Sequence, residues 1–142
     1  MKTVTQIDLL LKNEPGVLSQ VSDLLGVNGI NIIAFYVITE EEKGRIHFVA
    51  NDPAKAINIL KTAGYNLEQS EVIACETPNH PGGLNAVLKP LAAANINVNY
   101  IYPCIGTKNI TVLILGVDAV QETLQIMESN WIKVLGDDLY HI

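Results

Sequence analysis

Basic residues are few and scattered. Nine Lys and Arg stand against 15 Asp and Glu in 142 residues, a net charge of −6. No stripe of cations is present to neutralise a phosphate backbone, which argues against nucleic acid as a direct partner. Long apolar runs are missing too. No stretch of eighteen apolar residues exists to span a membrane, and the start, Met1-Lys2-Thr3-Val4-Thr5-Gln6, carries no apolar signal segment. Both absences point to a cytoplasmic protein with no membrane partner. Cysteine is limited to Cys75 and Cys104, with no CxxC spacing, so the two read as reduced thiols and not as a disulfide framework. The three histidines, His47, His80 and His141, lack the helical spacing or the cysteine partners of a metal site. There is no Gly-x-Ser-x-Gly elbow, no P-loop and no GxGxxG turn. No catalytic residues, metal or cofactor are therefore expected, and an enzyme on this scaffold ranks third among the readings below.

What is there is a repeat. Shifting the chain by 66 residues without a gap aligns Asn13 with Asn79, Pro15 with Pro81, Gly16 with Gly82 and Leu18 with Leu84. Val21 meets Val87, Leu25 meets Leu91, Ile30 meets Ile96, Asn31 meets Asn97, Tyr36 meets Tyr102 and Asp52 meets Asp118. These identities fall at turns and at core-spaced positions, so the chain is two copies of one unit.

Each copy has the same order. Alternating Thr5, Ile7, Leu9 and Leu11 give a strand, broken by Asn13-Glu14-Pro15-Gly16. Val17, Leu18, Val21, Leu24 and Leu25 make an amphipathic helix ending near Asn28-Gly29. Strands over Ile30 to Thr39 and Arg45 to Ala50 flank the charged turn Glu40-Glu41-Glu42-Lys43. Asp52 is the expected N-cap of a second helix, with Pro53 at its first position and Gly64 beyond its end. In the second copy Asp118 takes the equivalent cap, and strands cover Asn97 to Cys104, Ile110 to Leu115 and part of Trp131 to Ile142. Pro90 interrupts the helix from Gly82 to Ala94 and should kink or shorten it.

The result is an α+β chain of two ferredoxin-like βαββαβ units in tandem. Each has an antiparallel sheet with both helices on one face. The expected domains are residues 1–69 and 70–142. The closing strand of the first copy and the opening strand of the second fall in almost the same stretch, about 66–78, which is either one shared strand or a continuous pair open to exchange. Thr111 to Leu115 is apolar on both faces, so its back face is expected to be covered by the other copy or by a second chain. The alternation places His47 opposite the core side of its strand, as a surface or interface residue.

Two ordered motifs carry a resemblance. Asn13-Glu14-Pro15-Gly16-Val17-Leu18 followed by Gly29-Ile30-Asn31-Ile32, and Asn79-His80-Pro81-Gly82-Gly83-Leu84 followed by Asn95-Ile96-Asn97-Val98, resemble the ACT domain family. The resemblance covers the whole chain as a free-standing tandem pair. It implies a non-catalytic regulatory protein that binds a small amino acid or related metabolite. A homodimer, with a metabolic enzyme or regulator as a possible further partner, fits the same reading. Carried over by motif, the ligand-binding candidates are Asn13, Gly16, Val17 and Leu18, and Asn79, His80, Gly82, Gly83 and Leu84. Asn31, Ile32, Asn97 and Val98 would face them from a paired domain. The physical reason is general: a helix start presents unpaired N–H groups and partial positive charge to a carboxylate, and glycine admits close approach. Gly82-Gly83 favours the second copy, because a second glycine weakens a helix start and exposes backbone. The alternative is an accessory interaction subunit that has kept the fold and lost the ligand. Asn13 and Asn79 would then be ordinary helix caps.

Overall fold

The computed structural model describes residues 2–107 and 110–142. Its elements are β1 (Val4–Lys12), α1 (Val17–Val27), β2 (Ile32–Glu40), β3 (Lys43–Ala50), α2 (Pro53–Thr62), β4 (Asn66–Thr77), α3 (Gly83–Ala93), β5 (Val98–Pro103), β6 (Thr111–Val117), α4 (Val120–Ser129) and β7 (Val134–Leu135), then a short 3₁₀ turn over Asp137–His141. Two units divide the chain. One is Thr5–Ser70, and the other is Glu71–Ile142 with the N-terminal segment through Val4. A single strand, β4, supplies residues to both.

In the first unit β1 and β2 both pair antiparallel with β3, and β4 lies on the other side of β1. Every second residue of β1 and β3 points to the helices. Ile7, Leu9, Leu11, Ile46, Phe48 and Ala50 pack with Val21 and Leu25 of α1 and Ala56 and Leu60 of α2. The alternation read from the sequence is this inward face. In the second unit β6 pairs antiparallel with β4 and β5, and β7 pairs with the other edge of β4. Ile73, Cys75, Leu113 and Leu115 pack there with Val87, Leu91 and Met127. Helices therefore cover one face of each sheet, the ferredoxin-like arrangement.

The repeat is not gapless. Ile7 sits opposite Phe48 and Ile73 opposite Leu115, so equivalent positions are 66 apart on β1 and β4 but 67 apart on β3 and β6. One extra residue lies in the β5–β6 connection. Past that point the residue matching Asp52 is Ala119, and Ala119 is indeed the N-cap of α4, without a side-chain hydrogen bond. Asp118 is not a cap; its carboxylate accepts from Asn99 Nδ2 at 3.0 Å. Asp52 does cap α2, accepting from the Lys55 N–H at 3.2 Å with Pro53 following.

One further expectation needs correction. Pro90 does not shorten α3, which has 11 residues, as α1 does; the proline removes one N–H near the helix end, where few turns follow. The last strand, β7, lies within the stretch expected for it, Trp131 to Ile142, and covers Val134–Leu135. Val112 and Ile114, on the back face of β6, are fully buried, the covered face that the two-sided apolar pattern of Thr111 to Leu115 called for. Among the described residues no helix is long and apolar enough to cross a membrane.

Candidate functional site

Both β-to-α junctions begin their helices without a side-chain cap. Gly16 (φ +88°) and Gly82 (φ +83°) occupy the N-cap positions of α1 and α3 in the left-handed region, and no acidic residue lies in either first turn. Asn13 and Asn79 are therefore not helix caps. Asn13 instead donates its side-chain N–H to the Glu41 carbonyl at 2.9 Å, and its backbone N–H to Glu42 at 2.8 Å. This fastens the loop to the turn between β2 and β3. Asn79 is exposed, and His80 donates from Nδ1 to the Pro81 carbonyl at 2.9 Å. The Val17 and Gly83 N–H groups donate to the Glu14 and His80 carbonyls at 3.4 and 2.8 Å. The next N–H groups of each first turn, which no side chain caps and no first-turn carboxylate accompanies, are suited to an external anion.

Gly82 and Gly83 have different reasons to be glycine. A Cβ on Gly82 would meet open space, and the left-handed φ alone selects glycine there. A Cβ on Gly83 would lie 1.9 Å from the Pro78 carbonyl oxygen. Gly83 is buried, and its own carbonyl accepts from Thr77 Oγ1 at 3.0 Å. Its backbone closes the loop on itself and is not laid open, contrary to the expectation that the second glycine exposes backbone. Val17 is half-buried, whereas Leu18 and Leu84, the second residues of α1 and α3, are 46% and 49% exposed.

Asn31, Ile32, Asn97 and Val98 lie elsewhere in their units. The backbone N–H of Asn31 donates to Asn51 Oδ1 at 2.9 Å. Asn97 donates to Asn99 Oδ1 at 3.0 Å. Ile32 and Val98 open β2 and β5 and are half-buried. An 11-residue helix separates each of these pairs from the glycine junction of its own unit, a span of about 16 Å at 1.5 Å per residue. Within one unit the two groups do not meet.

The space beside the first junction is small. A cavity of about 40 Å³ lies among residues that include Asn13, Val17, Leu18, Val37 and Thr39. Two larger clefts flank the junctions on another side. One, about 520 Å³, lies between the end of β1, α1 and the α2–β4 turn; the other, about 460 Å³, lies between the end of β4, α3 and the α4–β7 turn. With the inserted residue counted, Leu10, Gln20 and Gly64 of the first correspond to Glu76, Ala86 and Trp131 of the second. Gly64 follows α2 at φ +90°, and Trp131 follows α4 at φ +60°. A non-glycine residue in that region costs roughly 1–2 kcal/mol. Trp131 also stands 96% exposed. Glu76 and Lys133 form an ion pair of 3.4 Å in the same cleft.

One buried polar cluster lies outside the motifs read from the sequence. Asp8 accepts hydrogen bonds from His47 Nδ1, from Ser70 Oγ at 2.7 Å and from Gln6 Nε2 at 2.7 Å. The Tyr36 ring stacks on His47 at 4.5 Å. The side chains of His47 and Asp8 are only 12% and 10% exposed, so His47 is an inward-held partner of a carboxylate and not a surface residue. Burial acts to raise the Asp8 carboxyl, but the His47 and Ser70 hydrogen bonds, the charge of His47 and the Gln6 amide outweigh it and hold it below its ordinary value. The serine hydroxyl donates to the aspartate and not to the histidine, which is not the order of a hydrolytic triad. The only available signal was a polar residue at equivalent places in paired strands, too common to single out. Burial pushes both cysteine thiols up to about 12, so neither is a thiolate at neutral pH. No group of three or more metal-ligating side chains occurs among the described residues.

A family model described as an ACT domain pair matches residues 2–141. The crystal structure of a Bacteroides thetaiotaomicron protein superposes with a TM-score of 0.92 at 24% identity, covering 99% of this chain and 97% of that one. The ligand-free regulatory subunit of aspartate kinase from Thermus thermophilus gives 0.63 at 14% identity, with 89% and 91% covered. Aspartate kinase from Synechocystis gives 0.55 at 20% identity, with 96% of this chain and 25% of that one covered. No curated protein matches the chain.

Proposed function

The chain belongs to the ACT domain pair family, and from that premise we propose that it is a non-catalytic regulatory protein that binds a free amino acid or related metabolite. One observation carries the reading: α1 and α3 both start on a left-handed glycine, uncapped and without an acidic first turn. The ligand carboxylate takes these N–H groups. Asn13, Gly16, Val17 and Leu18 form the first junction, and Asn79, His80, Gly82, Gly83 and Leu84 the second. Asn31, Ile32, Asn97 and Val98 reach a ligand only from another domain or chain. The working domains are residues 1–69 and 70–142.

About 40 Å³ beside the first junction holds little more than a water. The proposed homodimer supplies the missing wall there, against the exposed Leu18, Phe35 and Val37. A cytoplasmic metabolic enzyme or regulator is the proposed receiver of the signal. The small cavity also favours a second reading, an accessory subunit that has lost its ligand.

Melting curves with each standard amino acid separate the two. A ligand at a hundredfold excess over Kd stabilises the folded state by about 2.7 kcal/mol. Gly82→Asn is the test variant: asparagine tolerates a left-handed φ, whereas a branched residue at +83° would itself strain the loop. It should abolish the shift. Sensing at this junction fails if the shift survives, and sensing altogether fails if no amino acid moves the melting temperature.

A further inference from the structure

We propose that the cleft at the α4–β7 turn is a second ligand site, one that takes a small zwitterion with its apolar body stacked on Trp131. The ligand chemistry rests on the amino-acid reading above; the location does not. A cleft of about 520 Å³ in the first unit and one of about 460 Å³ in the second occupy corresponding places, so the hollow belongs to the repeat. Both volumes lie within the roughly 300–1,000 Å³ usual for small-molecule sites. Only the side chains differ.

The first unit has Gly64 where the second has Trp131. Glycine satisfies a left-handed position after a helix. An indole there gains nothing for the fold, because it is 96% exposed and contributes to no core. A costly backbone conformation that presents the largest apolar side chain to solvent is the signature of a contact surface.

Glu76 and Lys133 stand beside it. Glu76 of β4 and Lys133, the residue just before β7, are joined through the Glu76 N–H to the Lys133 carbonyl at 2.9 Å. Their side chains touch at a single 3.4 Å contact, with the lysine largely exposed. A pair this open exchanges partners at little cost. A ligand carboxylate takes Lys133 and its ammonium takes Glu76, while Asn79 and Asn130 in the same lining offer amide groups to either end. In the first cleft Leu10 and Asn66 stand where the second has Glu76 and Lys133, and its charged residues, Lys12, Glu14, Glu42 and Lys43, lie around a Gly64 that offers no ring. Only the second sets an ion pair beside an indole.

Trp131 is the only tryptophan of the chain, and its emission reports the site directly. Each standard amino acid other than tryptophan is titrated into the whole protein, with excitation where tyrosine does not absorb. A ligand in the cleft moves the emission to shorter wavelength and shields it from iodide. Calorimetry on Trp131→Gly, which restores the residue of the first repeat and so keeps the fold, should show about tenfold weaker binding; Lys133→Gln should weaken it as well. If an amino acid raises the melting temperature while the emission and the Trp131→Gly affinity stay unchanged, the cleft is overturned and sensing survives. If the emission of the wild type responds, calorimetry shows weaker binding to Trp131→Gly, and Gly82→Asn keeps both the emission response and the affinity, the cleft is the site and the helix junction is not. If no amino acid alters either signal, both readings fall.

Discussion

Replacing Asp8 by alanine should be among the most damaging single changes in the first repeat. The carboxylate accepts from Ser70 and Gln6 at 2.7 Å each, and from His47. Its side chain is 10% exposed, so solvent cannot replace all three bonds. Hydrogen bonds to a charged group contribute about 1.5–3 kcal/mol apiece but share one anion and do not add. Removing one partner of a buried ion pair costs about 3–5 kcal/mol. The lower end, about 3 kcal/mol, is the expectation here, because the group is near the surface of its sheet. For a chain of this size that corresponds to roughly 10 °C in Tm. Asp8→Asn keeps the shape and one acceptor and should lose about half as much. The pH dependence follows from the depressed carboxyl. In acid the unfolded carboxyl is protonated first, so the contribution is fully present above the ordinary value near 4 and is lost as pH falls through the lower folded value. Urea unfolding of the wild type and Asp8→Asn at a series of pH values is the assay. The two stability curves should converge as pH falls below about 4. Curves that stay parallel through the acid range would show that the charge of Asp8 is not what holds the cluster.

Two further changes test the local readings. Asp52→Ala should cost about 0.5–2 kcal/mol through the lost cap on α2, whereas Asp118→Ala should cost clearly less by the same denaturation assay. Equal costs would mean that both act as caps. Gly83→Ala should destabilise the second unit by more than the few tenths of a kcal/mol usual at a surface site, because its Cβ would meet the Pro78 carbonyl at 1.9 Å; an unchanged urea midpoint refutes this.

The strand and helix order was legible because both repeats put apolar residues at the right period and turn residues between them. Asp118 misled because one residue inserted in the β5–β6 connection brings an aspartate one position short of the true cap, Ala119. A gapless comparison then scores a coincidence as a match. Gly83 misled in another way: its neighbour Pro78 comes close only when the loop folds back. The Asp8 cluster joins residues 39 and 62 positions apart, beyond any local pattern. For the candidate site, the Pro-Gly junctions were visible and the cleft was not. Trp131 announces itself only by a backbone angle and an exposure, and neither is written in composition.

The twelve residues of β4 also bear on how such a chain can be cut and rearranged. Tandem modules are commonly strung on linkers, where a protease or a recombination event can free one without harming the other. Here the seam falls between Ser70 and Glu71, in the middle of a strand whose backbone is already committed to sheet pairing. A fragment ending there leaves its half with a truncated strand, and deletion of one residue would turn the following side chains to the opposite face. The two repeats are thus joined within one strand: neither can be cut away at this seam without shortening a strand of the other.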